Sequence, residues 1–127
     1  MNLEKVVFSF FMILALTLNF GFFYGDVGNP DHHNIYELFA VIIINLVATV
    51  LKFGDRSQLG AMLLATSLVA VVQLISASVV WTFAVHIQET GMTATAMATI
   101  VSLSGGAFLA NIISVILLMI EAAMLRH

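Results

Sequence analysis

Four long apolar runs, separated by short polar breaks, organise this chain. They extend from Val6 to Tyr24, Tyr36 to Leu51, Gly60 to Val85 and Met92 to Leu125. About 20 apolar residues span the hydrocarbon core of a bilayer, and a helix satisfies its own backbone hydrogen bonds there. The pattern therefore predicts an all-α fold: a four-helix transmembrane bundle forming one integral membrane domain over residues 1–127. The first run is expected to stay as a helix and not be removed as a leader, because it ends in the bulky LNFGFFYGD with no small-residue cleavage site. The breaks carry turn chemistry. GDVGNPDHHN holds the single proline, and helix two is expected to start near Asn34 or Ile35. KFGDRSQ offers Gly54 as a helix terminator, with Asp55 or Ser57 as a cap for the third helix. Thr90 and Thr93 are candidate caps for the fourth. Connections this short favour antiparallel sequential neighbours. The last two runs exceed a straight crossing, which calls for tilt or projection, and SLSGG at Ser102 to Gly106 is a candidate kink.

Within each run, heptad spacing picks out one seam, and every seam carries one carboxamide. Helix one gives Phe8, Met12, Ala15 and Asn19; helix two gives Leu38, Val41, Asn45 and Ala48. Helix three gives Thr66, Ala70, Gln73, Ala77, Val80 and Ala84; helix four gives Ser104, Ala107, Asn111, Ser114 and Leu118. Lipid tails are as apolar as leucine, so helices in a membrane associate through close packing and interhelical hydrogen bonds. The four amides Asn19, Asn45, Gln73 and Asn111 suit that role. They equally suit a polar path, because amide carbonyls can replace an ion's water. Helix four has a second pattern, with a small residue at every fourth position: Ala94, Ala98, Ser102, Gly106, Ala110 and Ser114. Such spacing lets backbones approach closely. Ser102, Gly106, Ala110 and Ser114 are thus candidate helix-helix contacts, within one protomer or with a second copy.

Composition agrees with the periodicity: 61% of residues are hydrophobic and 9% charged, against about 25% charged in soluble domains. Charge then supplies an orientation. Lys5, Lys52, Arg56 and Arg126, the four basic residues, all fall on one side of a four-pass reading. The excess of Lys and Arg in cytoplasmic segments places both termini in the cytoplasm. The opposite side carries Asp26, Asp31, Glu37 and Glu89. Tyr24, Tyr36 and Trp81 fall near that outer interface, where amphipathic rings prefer to sit. Glu121 is the deepest acidic group and is expected at the inner interface, within reach of Lys5, Lys52 or Arg56. No basic field exists to neutralise phosphates, which argues against nucleic-acid binding. Cysteine is absent, which removes disulfides and thiolate chemistry. His32, His33 and His86 are metal-ligand types in the outer loops, although adjacent histidines in a polar loop fit ordinary solvated chemistry as well. Neither a cofactor site nor an arrangement suited to enzyme catalysis is expected.

KFGDRSQLGAMLLATSLVA and SLSGGAFLANIISV resemble segments of a family of small bacterial four-helix inner-membrane proteins of unknown activity. The resemblance implies a multi-pass protein of the bacterial inner membrane and supplies no function. Small multidrug exporters, fluoride channels, voltage sensors and potassium filters each require charged or glycine motifs that this sequence lacks. The leading expectation is a homo-oligomeric channel or transporter-like protein for an inorganic ion, a cation given the acidic outer side. The alternative is an accessory or regulatory subunit of a larger membrane complex, bound to a membrane partner.

Because the chain has no cysteine, its orientation is directly testable. Single cysteines replacing Asn29 and Gln88 are expected to react with an impermeant thiol reagent on intact cells, and one replacing Ser57 is not. External labelling at Ser57 would reverse the topology.

Overall fold

The computed structural model describes residues 3–124. Leu125, the expected end of the fourth helix, and Arg126 lie outside the described residues. Four helices follow in order: α1 (Leu3–Phe23), α2 (Ile35–Lys52), α3 (Gln58–Thr82) and α4 (Ala94–Met124). No strand occurs among the described residues. A 3₁₀ turn at Pro30–His32 lies between α1 and α2, and a π-helical turn at Phe83–Ile87 extends α3.

Local chemistry sets these boundaries. The side chain of Asn34 accepts the Tyr36 N–H at the start of α2. Phe53 closes that helix in extended backbone, and Gly54 then takes φ +92°, a region that favours glycine. The Ser57 hydroxyl oxygen accepts the Gly60 N–H and caps α3, while Thr93 accepts the Ala96 N–H at the head of α4. At the far end of α3, Gln88 N–H reaches back to the Phe83 carbonyl at 2.9 Å, a five-residue closure that widens the last turn. SLSGG lies inside an uninterrupted α4.

Each helix packs on its chain neighbour, and α4 closes the ring against α1. Cross-helix contacts give the register. Phe8 of α1 lies under the Lys52 ammonium of α2, 4.3 Å from ring centroid to Nζ. Phe39 of α2 meets Trp81 of α3 edge-on at 5.6 Å. The hydroxyls of Thr66 on α3 and Ser114 on α4 pair directly, and Phe20 of α1 touches Phe108 of α4 at 5.7 Å. Low numbers on one helix meet high numbers on the next, so all four neighbours are antiparallel. One end of the bundle carries Lys5, Lys52, Arg56 and Glu121 (the basic end). The other carries His32, His33 and His86 (the histidine end).

All four helices are long and apolar enough to cross a membrane. Only 28–33% of the most apolar stretch of each is buried inside the bundle. The remaining Val, Ile, Leu and Phe face outward, among them Phe10, Ile43, Val72 and Leu109. An apolar exterior of this extent is unsuited to water and matches lipid. This is a multi-pass membrane protein.

The interior divides in two. Towards the histidine end, Phe22, Leu38, Val41, Leu74, Ile100, Val101 and Ala107 belong to one apolar cluster, which reaches Ala15 and Ala110. Towards the basic end, Phe8, Met12, Ala48 and Leu63 form a second. The seams predicted on α1 and α2 are buried throughout. On α3 and its π-helical extension the predicted seam residues Ala70, Ala77 and Ala84 are buried, joined by Gly60, Leu63, Ser67 and Leu74. Thr66 and Gln73 instead flank that face. Leu63 and Leu74 fill more space than the polar groups, so volume decides which positions point to the axis.

At the basic end, Asp55 Oδ1 accepts both the hydroxyl (2.8 Å) and the N–H (3.0 Å) of Ser57, and its carboxylate lies over the bare face of Gly60. The Ser57 hydroxyl, then the Ser57 N–H and the Lys52 ammonium, hold the Asp55 carboxyl below the usual carboxylate range. A depressed folded value stabilises the loop above the unfolded value and is lost as pH falls through the folded one. Asp55→Ala is therefore expected to unfold at lower temperature than wild type at neutral pH, with the gap shrinking as pH drops below about 4. A gap constant from pH 7 to pH 3 in thermal unfolding would contradict this.

Candidate functional site

Between the two apolar clusters the bundle interior is polar. α2 contributes Asn45 and Thr49, α3 Ser67 and Thr66, and α4 Asn111 and Ser114. On α1 the adjacent residues are Ala15 and Met12, one from each cluster. Asn45, Asn111, Ser67 and Ser114 have no exposed surface. Asn45 lies about 15 Å along α2 from Ile35, and Asn111 about 25 Å along α4 from Ala94, at 1.5 Å per residue. Both are near the middle of their helices, as Gln73 is near the middle of α3 and its π-helical extension. A bilayer core is about 30 Å thick, so this layer falls close to its midplane.

The four amides separate into two kinds. Asn19, near the histidine end of α1, bonds to the backbone of α4: its nitrogen donates to the Ser104 carbonyl at 3.2 Å and its oxygen accepts the Phe108 N–H at 3.0 Å. In this orientation, assigned to the amide because it alone matches donor to acceptor, Asn19 ties two helices together. The three mid-depth amides differ. Asn45 Nδ2 donates to the Val41 carbonyl at 2.9 Å, which fixes the amide with Oδ1 turned away. Asn45 Oδ1, Gln73 Oε1 and Asn111 Oδ1 are all buried without a hydrogen-bond partner. Each such group costs about 1–3 kcal/mol, and all three are acceptors.

The layer also holds hydroxyls. Thr49 donates to the Asn45 carbonyl at 2.8 Å, and Ser67 donates to the Met12 sulfur at 3.8 Å. Ser67, Thr49 and Met12 went unassigned as site residues in the sequence. The signal for Ser67 was its place between Leu63 and Ala70 on the buried face of α3.

The small residues of α4 divide by face. Gly106 lies beneath the Gln73 amide, which fills the space a side chain would need. Ala110 and Ser114 are buried, while Ser102 and Ala94 are exposed. At the basic end, Glu121 pairs with Lys5 at 3.2 Å. The ammonium of Lys52, itself 8% exposed, sits 3.5 Å from Asp55.

The outer histidines do not converge. His33 is buried beside Phe22, with Nδ1 2.6 Å from the Phe22 carbonyl and Nε2 2.7 Å from the Asp26 carbonyl. Both partners are backbone carbonyl oxygens, so the ring bridges the end of α1 and the first loop. His32 accepts the Asp26 N–H at 2.9 Å, and His86 packs edge-on against Trp81. Among the described residues, no three His, Cys, Asp or Glu side chains form a group able to hold a metal ion.

The Gln73–Gly106 contact gives a direct test. Gly106→Leu is expected to destabilise the α3–α4 pair by about 1–3 kcal/mol through overpacking, and Gln73→Ala in the same chain to restore part of the loss. Thermal unfolding of the two single variants and the double variant measures the coupling. Simple additivity would mean that the two positions do not share this space.

No curated protein and no solved structure matches the chain. A model described as a family of unknown function (DUF6394) matches residues 32–122. That stretch takes in α2, α3 and nearly all of α4, with the three mid-depth amides, and stops short of α1 and Asn19. With most of its length matched, the chain belongs to this family, DUF6394.

Proposed function

We propose that this protein is a homo-oligomeric, transporter-like carrier of an inorganic cation in the bacterial inner membrane, with its basic end in the cytoplasm. The observation that carries the reading is the mid-depth polar layer with three unpartnered carbonyl oxygens. Oxygens of this kind replace the hydration shell of a cation and repel an anion. Apolar clusters close the layer on both sides, a geometry suited to an occluded site and alternating access more than to an open pore. A groove opens at each end of the bundle. One is lined by Tyr24, Gly25, Asp26 and His32, the other by residues that include Lys5, Lys52 and Asp55. The acidic groups of the histidine end raise the local cation concentration. Self-association would use the exposed face of α4 at Ala94 and Ser102, where small residues permit close approach of a second copy.

A second reading, an accessory subunit of a larger membrane complex, draws on one feature. An apolar groove on the lipid side of α2, lined by Ile43, Leu46, Val47, Val50 and Leu51, has the form of a seat for a foreign helix.

Protein reconstituted alone in liposomes is expected to dissipate a sodium or potassium gradient. Neutralising Asp26, Asp31 and Glu89 together should slow that flux most at low ionic strength, because surface fields are screened within about 10 Å at 0.1 M salt. Absence of flux for any inorganic cation from well-folded, oligomeric protein, with co-purification of an unrelated membrane protein, would transfer the assignment to the accessory subunit.

A further inference from the structure

We propose that the mid-depth layer is a binding site for one dehydrated alkali cation, sodium or potassium, held by Asn45 Oδ1, Gln73 Oε1 and Asn111 Oδ1. It rests on the reading that the layer faces the transported ion, and it names the ion's class. Three features select that class. The unpartnered atoms are all oxygens, from α2, α3 and α4, so the ligand must be a cation or a hydrogen-bond donor. Asn45 and Asn111 have no exposed surface, so the ligand sheds its water and needs replacement oxygens. The hydroxyls of Ser114, one turn from Asn111, and of its partner Thr66 add further lone pairs to the layer. Finally, all seven Asp and Glu residues lie at the two ends of the bundle, and every oxygen in the layer is neutral. Calcium and magnesium sites draw on carboxylates, and the cost of burying an uncompensated charge rises steeply with its magnitude. A single positive charge is what neutral amides and hydroxyls can hold.

The Asn45 amide is oriented for this by its own helix, since donation to the Val41 carbonyl leaves Oδ1 for the layer. Ser67 adds a hydroxyl whose proton is directed at the Met12 sulfur, which leaves its oxygen lone pairs available.

The test is thermal unfolding of the purified protein in lipid nanodiscs, in chlorides of sodium, potassium, calcium and N-methyl-D-glucamine at equal ionic strength. Sodium or potassium should raise Tm saturably above the N-methyl-D-glucamine value, as expected for a ligand bound only by the folded state. Asn45→Ser should weaken the half-saturating concentration by about tenfold or more, the loss of one charge-facing oxygen ligand. Asn111→Asp, which keeps the side-chain shape and adds a charge, should bind the alkali ion more tightly and acquire a calcium response. That gain keeps the test decisive even if Asn45→Ser folds poorly. Equal Tm in all four salts, a rise that N-methyl-D-glucamine reproduces, or an Asn111→Asp variant unchanged in ion response would overturn the site and assign the layer to water or packing. Liposome flux is scored separately. Saturable stabilisation without flux keeps the site and removes the transport reading, whereas flux without ion-specific stabilisation removes the site alone.

Discussion

In lipid, four apolar helices gain nothing by burying leucine against leucine, and the whole architecture depends on what replaces that force. Here small and polar seams replace it. α3 and α4 share the most extensive contact, and it is built from Gly106 beneath the Gln73 amide and from the paired hydroxyls of Thr66 and Ser114. α1 is held to α4 by the Asn19 amide on the Ser104 and Phe108 backbone and by the Lys5–Glu121 ion pair at the basic end. The bulky aliphatic side chains meanwhile face outward, where lipid receives them.

The same substitution of polar for apolar contact creates tension at mid-depth. An apolar core of uniform composition would be closed throughout. This one is interrupted between two clusters by a layer in which the Asn45 amide nitrogen is directed at the Val41 carbonyl and the Ser67 hydroxyl at the Met12 sulfur. Three amide oxygens remain without partners. Such atoms are expensive in a medium of low dielectric constant, and buried polar groups in folded proteins are nearly always satisfied. These unpartnered atoms are the physical basis of the proposal that the layer binds an ion. The ends of the bundle use polarity differently: His33 fastens the first loop to the end of α1, and the Asp55–Ser57 pair shapes the turn into α3.

Much of this was legible along the chain. Four apolar runs, a proline-bearing first break and the Gly54–Ser57 turn led to four helices with boundaries close to those observed, because hydropathy and capping are local properties. The seams of α1 and α2 could be read at heptad spacing, since each has one clear apolar and polar face. The amides themselves were conspicuous as single carboxamides in otherwise apolar runs. The buried face of α3 was harder. Its alanines Ala70, Ala77 and Ala84 are buried as the heptad spacing suggested, but Leu63, Ser67 and Leu74 take the axis positions beside Thr66 and Gln73, and only the volumes offered by the neighbouring helices distinguish the two.

The sequence by itself thus determined the number of helices and their antiparallel order, which follow from hydrophobic run length and short connections. Tertiary structure decided which polar atoms are satisfied. It gave Asn19 a backbone partner, laid Gln73 across Gly106, turned His33 onto two carbonyls and left three oxygens at mid-depth without partners. Those outcomes depend on the rotation of each helix about its own axis and on ångström-scale distances between helices. Periodicity constrains the first only to within a residue and carries no information about the second.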